Sequence, residues 1–274
     1  MHGDGAAHGT NPDGKERGFM ACRVLVLTDL EGALISSRRP EVDGRRYTVV
    51  ARGKWDKKVI TYENMEKMKE LRKIADIVPV TKLSAKQCCA VAFCVDIPMS
   101  LVESGAMLMR GVKPDYGWRI ETLKTTFGDA DSYHAGKQFL RGRGYVENGP
   151  NEFTLDYVTD VQKDIDRDVD ELNAVMGGRY RAYKAGPGRI YAYHAGLGRR
   201  NMVRRFIGMF PYDRVISICA RNTGWLQETG TSISVEGAGA DYEYPQDLYD
   251  ADIHGFAAFA LDKAVELAGG CRQG

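Results

Sequence analysis

The sequence predicts an α/β protein, a parallel-sheet core carrying an inserted α+β layer, and three observations lead there. The first is the segment 24 to 35, VLVLTDLEGALI, in which a run of apolar, β-favouring residues ends on Asp29 and is followed at once by Glu31 and Gly32. The second is a strand–helix–strand–helix–strand rhythm over the next seventy or so residues, the signature of parallel pairing. The third is a change of character near residue 111 and a return of the α/β rhythm near residue 198. In an open parallel sheet ligands bind beyond the carboxyl ends of the strands, so an acid delivered to such an end stands where substrate would stand. Asp and Gly also begin ordinary turns, and the segment alone leaves both readings open.

The elements follow in order. Residues 36 to 58, with RRPEVDGRRY and ARGKWDKK, are polar and show no clear period. From 62 to 74, Met65, Met68, Leu71 and Ile74 recur on one helical face. A short strand, 77 to 80, ends at Thr81. Ser84 is placed to N-cap a helix running through Cys94, and the N–H groups there would suit a phosphate or carboxylate. A strand at 99 to 103 completes the βαβαβ pattern. From 111 to 190, Gly-rich basic turns surround short strands in GYVENGPNEFTLDYV and RYRAYKAGPGRIYAYHA, with a charged helix, 160 to 176, between them. Strand, strand, helix, strand, strand reads as a small α+β layer. Beyond 197 come a helix at 199 to 209, strands at 215 to 219 and 232 to 235, and an amphipathic helix from about 254 to 268.

At 274 residues the chain is long enough for one large domain or two. Lys plus Arg number 38 against 37 for Asp plus Glu, a balance that leaves no electrostatic footprint for nucleic acid or an anionic membrane. A small-molecule substrate is the expected partner. No apolar run approaches the roughly 20 residues that span a bilayer, and the N-terminus lacks the hydrophobic core of a signal peptide, which predicts a cytoplasmic protein. The six cysteines, Cys22, Cys88, Cys89, Cys94, Cys219 and Cys271, follow no disulfide-rich or zinc-ribbon spacing and read as buried free thiols. Residues 1 to 19, polar and Gly-rich, read as a disordered extension, and their His2 and His8 as no metal site.

At this point the residues meet a family. TDLEGALIS resembles the first motif of the haloacid dehalogenase superfamily, in which an acid at a strand end, a second acid two residues on, and Gly-Thr-Leu open the active site. VPVTKLS resembles the second motif, ESGAML the Glu-Asn-Gly-Ala segment of members with a large inserted cap, and GTSISVEGA the strand and turn near their C-terminus. RGRGYVENGPNEFTLDYV resembles the cap of phosphomannomutases and related Cof-like sugar-phosphate phosphatases. The resemblance implies a Rossmann-like core over 20 to 110 and 198 to 274 with a cap over 111 to 197. It puts Asp29 at the nucleophile, Glu31 at the acid that protonates the leaving group, Thr81 at the phosphate-binding hydroxyl with Lys82 beside it, and Arg199 where the family carries a phosphate-binding Lys.

The departures carry as much weight. Glu31 stands for Asp and Ala33 for Thr. Where the fourth motif brings the acids that bind Mg²⁺, the chain reads CARNTGWL, with Ala220, Thr223 and Gly224 at the acid positions. Mg²⁺ wants oxygen ligands in near-octahedral order, so binding through Asp29 and the carbonyl of Glu31 should be weak if it occurs at all, unless Glu31 or Asp241 takes the vacant role.

Three functions follow: a hydrolase or phosphotransferase for a small phosphorylated metabolite through aspartyl-phosphate formation; a metal-independent enzyme with other chemistry, since the haloacid dehalogenases proper carry an Asn and a Trp where Asn222 and Trp225 stand here; or a catalytically silent ligand-binding relative. The first is the reading adopted. In the cap, Arg141, Arg143, Lys184 and Arg189 are candidates to grip an anion, and Tyr183, Tyr191 and Tyr193 alternate between a core face and a pocket face. Arg199, beside Arg200, Arg204 and Arg205, is equally at home on a solvated charge face.

Overall fold

Alternate residues of the first strand, β1 (Val24–Asp29), go to opposite cores, and this organises the molecule. Val24 and Val26 join one apolar cluster while Leu25 and Leu27 join another, so β1 is buried on both faces. The computed structural model describes residues 22–38, 45–52, 57–220 and 228–270. Around β1 run β4 (Asp76–Val80) and β5 (Met99–Val102) on one side and β12 (Arg214–Cys219), β13 (Thr231–Val235) and β14 (Tyr242–Tyr244) on the other, all parallel. The chain leaves β1 toward β4 and later returns to β12, so the strand order reverses beside β1. Such a switch point opens a crevice at the strands' carboxyl ends, where Asp29 sits.

One face of the sheet is covered by α1 (Tyr62–Arg72) and α8 (Ile253–Gly270), with Met68, Leu71, Phe256, Ala260 and Leu261 buried in its core. The other is covered by α6 (Arg199–Met209), through Met202, Val203 and Phe206, and by α3 (Tyr116–Thr126), through Trp118. Above the carboxyl ends lies a second, antiparallel sheet ordered β10–β11–β9–β8. Its strands are β8 (Val146–Glu147), β9 (Thr154–Val158), β10 (Tyr180–Gly186) and β11 (Arg189–His194). Two helices, α4 (Ala130–Gly142) and α5 (Ile165–Val175), pack on its outer face around Leu140, Tyr157, Leu172 and Tyr180. Its inner face carries Tyr183 and Tyr191 toward the core.

Several expectations need correction. The polar stretch after β1 holds a hairpin, β2 (Tyr47–Arg52) and β3 (Lys57–Thr61), whose alternation is hidden by its charged residues. The helix after Ser84, α2 (Ala85–Cys89), stops five residues short of Cys94. Ser84 does cap it, in a full capping box with Gln87. Of the residues read as the inserted layer, 111 to 197, the first join the main sheet: β6 (Met107–Arg110) pairs antiparallel with β5 and β7 (Lys113–Pro114) antiparallel with β6, and Thr122 of α3 donates to the carbonyl of Ala106. Helices α3 and α4 were not foreseen. Among the cysteines, Cys88 and Cys219 are buried thiols, but Cys89 is exposed and Cys22 is disulfide-bonded; spacing along a chain does not show which cysteines the fold brings together. Residues 1 to 19 lie outside the described residues. Among those described, no helix is long and apolar enough to cross a membrane.

Candidate active site

The turn after β1 is built to aim Asp29. Leu34 N–H and Ile35 N–H both donate to the carbonyl of Leu30, and Gly32 takes a left-handed φ of 86°, a conformation other residues adopt at a cost. A Cβ on Gly32 would also press within 3.2 Å of the Tyr249 hydroxyl. The carboxylate that results is 6% exposed, and both of its oxygens are engaged. Arg199, from the first turn of α6, donates to Oδ1 at 2.6 Å, and the thiol of Cys219, at the end of β12, donates to Oδ2 at 2.8 Å. Burial pushes the Asp29 carboxyl above its usual range, against the pull of Arg199 and the thiol. Burial alone would lower Arg199, but the Asp29 carboxylate, together with Cys219, Tyr183 and Tyr191, outweighs it and holds the guanidinium above its ordinary value. The pair is ionised, because a guanidinium does not surrender its proton and a neutral Asp29 would leave a buried cation unpaired.

Thr81, one residue past β4, is fully buried. Its hydroxyl accepts from Leu83 N–H at 3.1 Å and donates to Glu31 Oε2 at 2.7 Å. The residues assigned to the nucleophile, the second acid, the hydroxyl and the cation are thus brought together. Lys82 rests against the upper sheet, with its Nζ 4.8 Å from the Tyr183 ring centroid and 5.7 Å from that of Tyr191, and its charge acts on Asp29 and Glu31 as well.

Between the sheets lies a cleft of about 1220 Å³. Its inner wall is Lys82, Ser104 and Arg199; its outer wall is the β9–α5 connection and the β10–β11 turn, with Tyr183 and Tyr193. Asp29 itself does not line the cleft, so Arg199 separates the two. The outer wall is pinned where Thr159 N–H donates to the carbonyl of Gly188 at 2.8 Å, and a Cβ on Gly188 would meet the Thr159 carbonyl oxygen at 2.3 Å, which only glycine avoids.

Glu103 follows β5, with Glu103, Ser104 and Gly105 all at positive φ (50°, 60° and 94°). This left-handed turn presses the Glu103 carboxylate, 1% exposed, onto the upper sheet's approach. It accepts from the N–H groups of Glu152 and Phe153 at 2.9 and 2.8 Å and from the Thr154 hydroxyl at 3.3 Å. Ser104 Oγ lies 3.0 Å from the Tyr191 hydroxyl. Sequence reading aligned this segment with a family motif without seeing that it joins the two sheets.

Other candidates go elsewhere. Arg141 pairs with Glu147 at 3.6 Å, and Arg143 pairs with Asp168 and Glu171 within the upper layer; neither lines the cleft. The fold brings those arginines acids of their own, on α5 and β8, which shorten their reach. Arg189 grips Asp156 with two hydrogen bonds, at 2.8 and 2.7 Å, while Lys184 lines the cleft and pairs with Asp166 at 2.9 Å. Arg200 and Arg204 share Glu228, and Arg205 stacks on Trp118. Asp241 accepts from Ser232 N–H and Oγ low on β13, away from the strand end. Asn222, Thr223, Gly224 and Trp225 lie outside the described residues.

No protein-family model matches the chain, and no curated protein does. Solved structures do match. A trehalose-6-phosphate phosphatase related protein is 15% identical with a TM-score of 0.56, over 90% of this chain and 99% of that one. The sucrose-phosphatase of Synechocystis sp. PCC6803, in complex with sucrose and phosphate, is 11% identical with a TM-score of 0.54, over 91% and 99%. A haloacid dehalogenase-like hydrolase from Bacteroides thetaiotaomicron is 11% identical with a TM-score of 0.51, over 88% and 99%. At these identities the likeness concerns the fold, and with the parallel core sheet and the additional antiparallel sheet it shows that this chain has the fold of the haloacid dehalogenase superfamily.

Proposed function

We propose that this protein is a hydrolase of the haloacid dehalogenase type that transfers a phosphoryl group from a small metabolite to Asp29 and then to water. The observation that carries the reading is the sharing of Arg199, which pairs with Asp29 on one side and lines the cleft on the other. An anion entering the cleft competes for the same guanidinium. As Arg199 turns to the phosphoryl oxygens, the Asp29 carboxylate loses its counter-ion and gains nucleophilicity beside the phosphorus. The thiol of Cys219 keeps the other oxygen in place. Thr81 and Glu31, tied to each other, stand beside Lys82, which lines the cleft.

A divalent cation would need hard oxygen donors in octahedral order. One Asp29 oxygen instead faces a guanidinium and the other a thiol, Ala220 just past β12 offers a methyl group, and no cluster of three His, Cys, Asp or Glu suited to a metal occurs among the described residues. Those residues do not fit Mg²⁺, which supports Arg199 as the charge that balances the phosphoryl group. We take residues of about 127 to 197 as a cap that closes the cleft. The names of two similar structures, trehalose-6-phosphate phosphatase related protein and sucrose-phosphatase, support a phosphorylated sugar as substrate, and the flat faces of Tyr183 and Tyr193 suit a sugar ring.

The test is a panel of sugar phosphates and other phosphomonoesters on the parent protein and on Asp29→Asn, with a haloacid included. Turnover of a phosphomonoester that falls by roughly 10³-fold or more in the variant, with folding intact, is the expected result. Undiminished turnover would remove Asp29 from the chemistry, turnover of the haloacid alone would favour the metal-independent alternative, and none at all a ligand-binding protein.

A further inference from the structure

The Thr81–Glu31 contact raises a question about where the leaving group's proton comes from. The Thr81 hydroxyl has one proton. Its oxygen accepts from Leu83 N–H, and it donates to Glu31 Oε2 at 2.7 Å. Glu31 therefore spends that oxygen accepting, whereas protonating a leaving oxygen calls for a donor. Lys82, the next residue, has the opposite properties. It lines the cleft between Arg199 and the upper sheet and rests against the faces of Tyr183 and Tyr191, and among the described residues no carboxylate or carbonyl holds its Nζ. Its N–H groups are free to meet a ligand.

We infer that Lys82 is the general acid of this site, giving a proton to the leaving oxygen as its bond to phosphorus breaks. The inference rests on the phosphoryl-transfer reading above. In the first step the Asp29 carboxylate forms a bond to phosphorus, the phosphorus–oxygen bond to the alcohol breaks, and the Lys82 ammonium protonates the departing oxygen, leaving a neutral alcohol and a neutral amine. In the second, the amine takes a proton from water as the water attacks the acyl phosphate; inorganic phosphate leaves, and Asp29 and Lys82 return to their starting states. Burial, then Arg199 and Arg189, push the Lys82 ammonium down to about 8, so near neutrality it carries a proton and releases it more readily than a surface lysine.

Leaving-group dependence tests the assignment. p-Nitrophenyl phosphate has a leaving group that departs without a proton, and a sugar 6-phosphate has an alkoxide that needs one. Lys82→Met should lose roughly 10²-fold or more on the sugar phosphate and only a few-fold on the aryl ester. Lys82→Arg, which keeps the charge over the tyrosine rings but holds its proton too tightly, should behave like Lys82→Met. Glu31→Gln should affect both esters alike. Equal losses on both esters in Lys82→Met, rescue of the sugar phosphate by Arg, or a leaving-group-selective loss in Glu31→Gln would each overturn the inference. Absence of turnover on either ester by the parent would instead overturn the phosphoryl-transfer reading, and the inference with it.

Discussion

Asp29 and Glu103 make an instructive pair. Both stand at the carboxyl ends of parallel strands, both are almost wholly buried, and burial pushes both carboxyls up. They differ in what holds them. Asp29 is neutralised by Arg199, a long side chain with a cleft on its far side. Glu103 is held by two backbone N–H groups and a hydroxyl from the upper layer, groups with no freedom to leave. A buried charge whose partner can be taken by a ligand is poised for chemistry, while one whose donors belong to the backbone fastens two layers together.

The largest stability effect is expected where the movable partner is removed. Arg199→Met strands a buried carboxylate and should cost about 3–5 kcal/mol in denaturant unfolding. Adding Asp29→Asn to that variant should recover part of the loss, because the unpaired charge goes with it. Next comes Glu103→Gln, which removes the charge from the fixed acceptor and should cost about 1–3 kcal/mol. Its pH dependence sharpens the comparison. Burial raises Glu103 from 4.5 to about 6, against the pull of its donors, so the folded chain binds this proton more tightly than the unfolded chain. The stability it contributes is full below pH 4.5, falls as the pH rises to about 6, and is constant above. Parent minus Glu103→Gln stability should therefore drop by about 2 kcal/mol across that window; a difference flat with pH would mean that burial does not govern this group. The smallest effect belongs to Tyr191→Phe, which removes the hydroxyl 3.0 Å from Ser104 Oγ and should cost about 1 kcal/mol in thermal or denaturant unfolding.

The parts of the fold legible in the sequence are those where one pattern dominates locally. The apolar runs of β1 and β12 and the periodic faces of α1, α6 and α8 were of that kind. The β2–β3 hairpin was hidden by its charged residues, and α3 and α4 because their buried faces are narrow: Trp118, Thr122 and Thr126 on one, Gly136 and Leu140 on the other. Gly136 is informative only in three dimensions, where a Cβ would lie 2.8 Å from the Met176 sulfur. In the site, Asp29, Glu31, Thr81 and Arg199 were found through motif order. Cys219 was passed over as a structural thiol, and Arg141 and Arg143 were overvalued, since pairing with Glu147, Asp168 and Glu171 is a tertiary matter. The run of three positive φ values at Glu103, Ser104 and Gly105 leaves one sequence sign, the glycine, and its purpose shows only when the upper sheet is in place.

The central claim is that Asp29 attacks phosphorus once an anion draws Arg199 away, and trapping the adduct tests it most directly. The parent protein, quenched in acid during turnover of a phosphomonoester and then treated with borohydride, would have any acyl phosphate reduced at its carbonyl carbon to an alcohol. Peptide mass spectrometry should find that reduction at Asp29, dependent on substrate and lost when excess inorganic phosphate competes for Arg199. Steady turnover with Asp29 unmodified in every quench, or reduction at another carboxylate, would contradict the account.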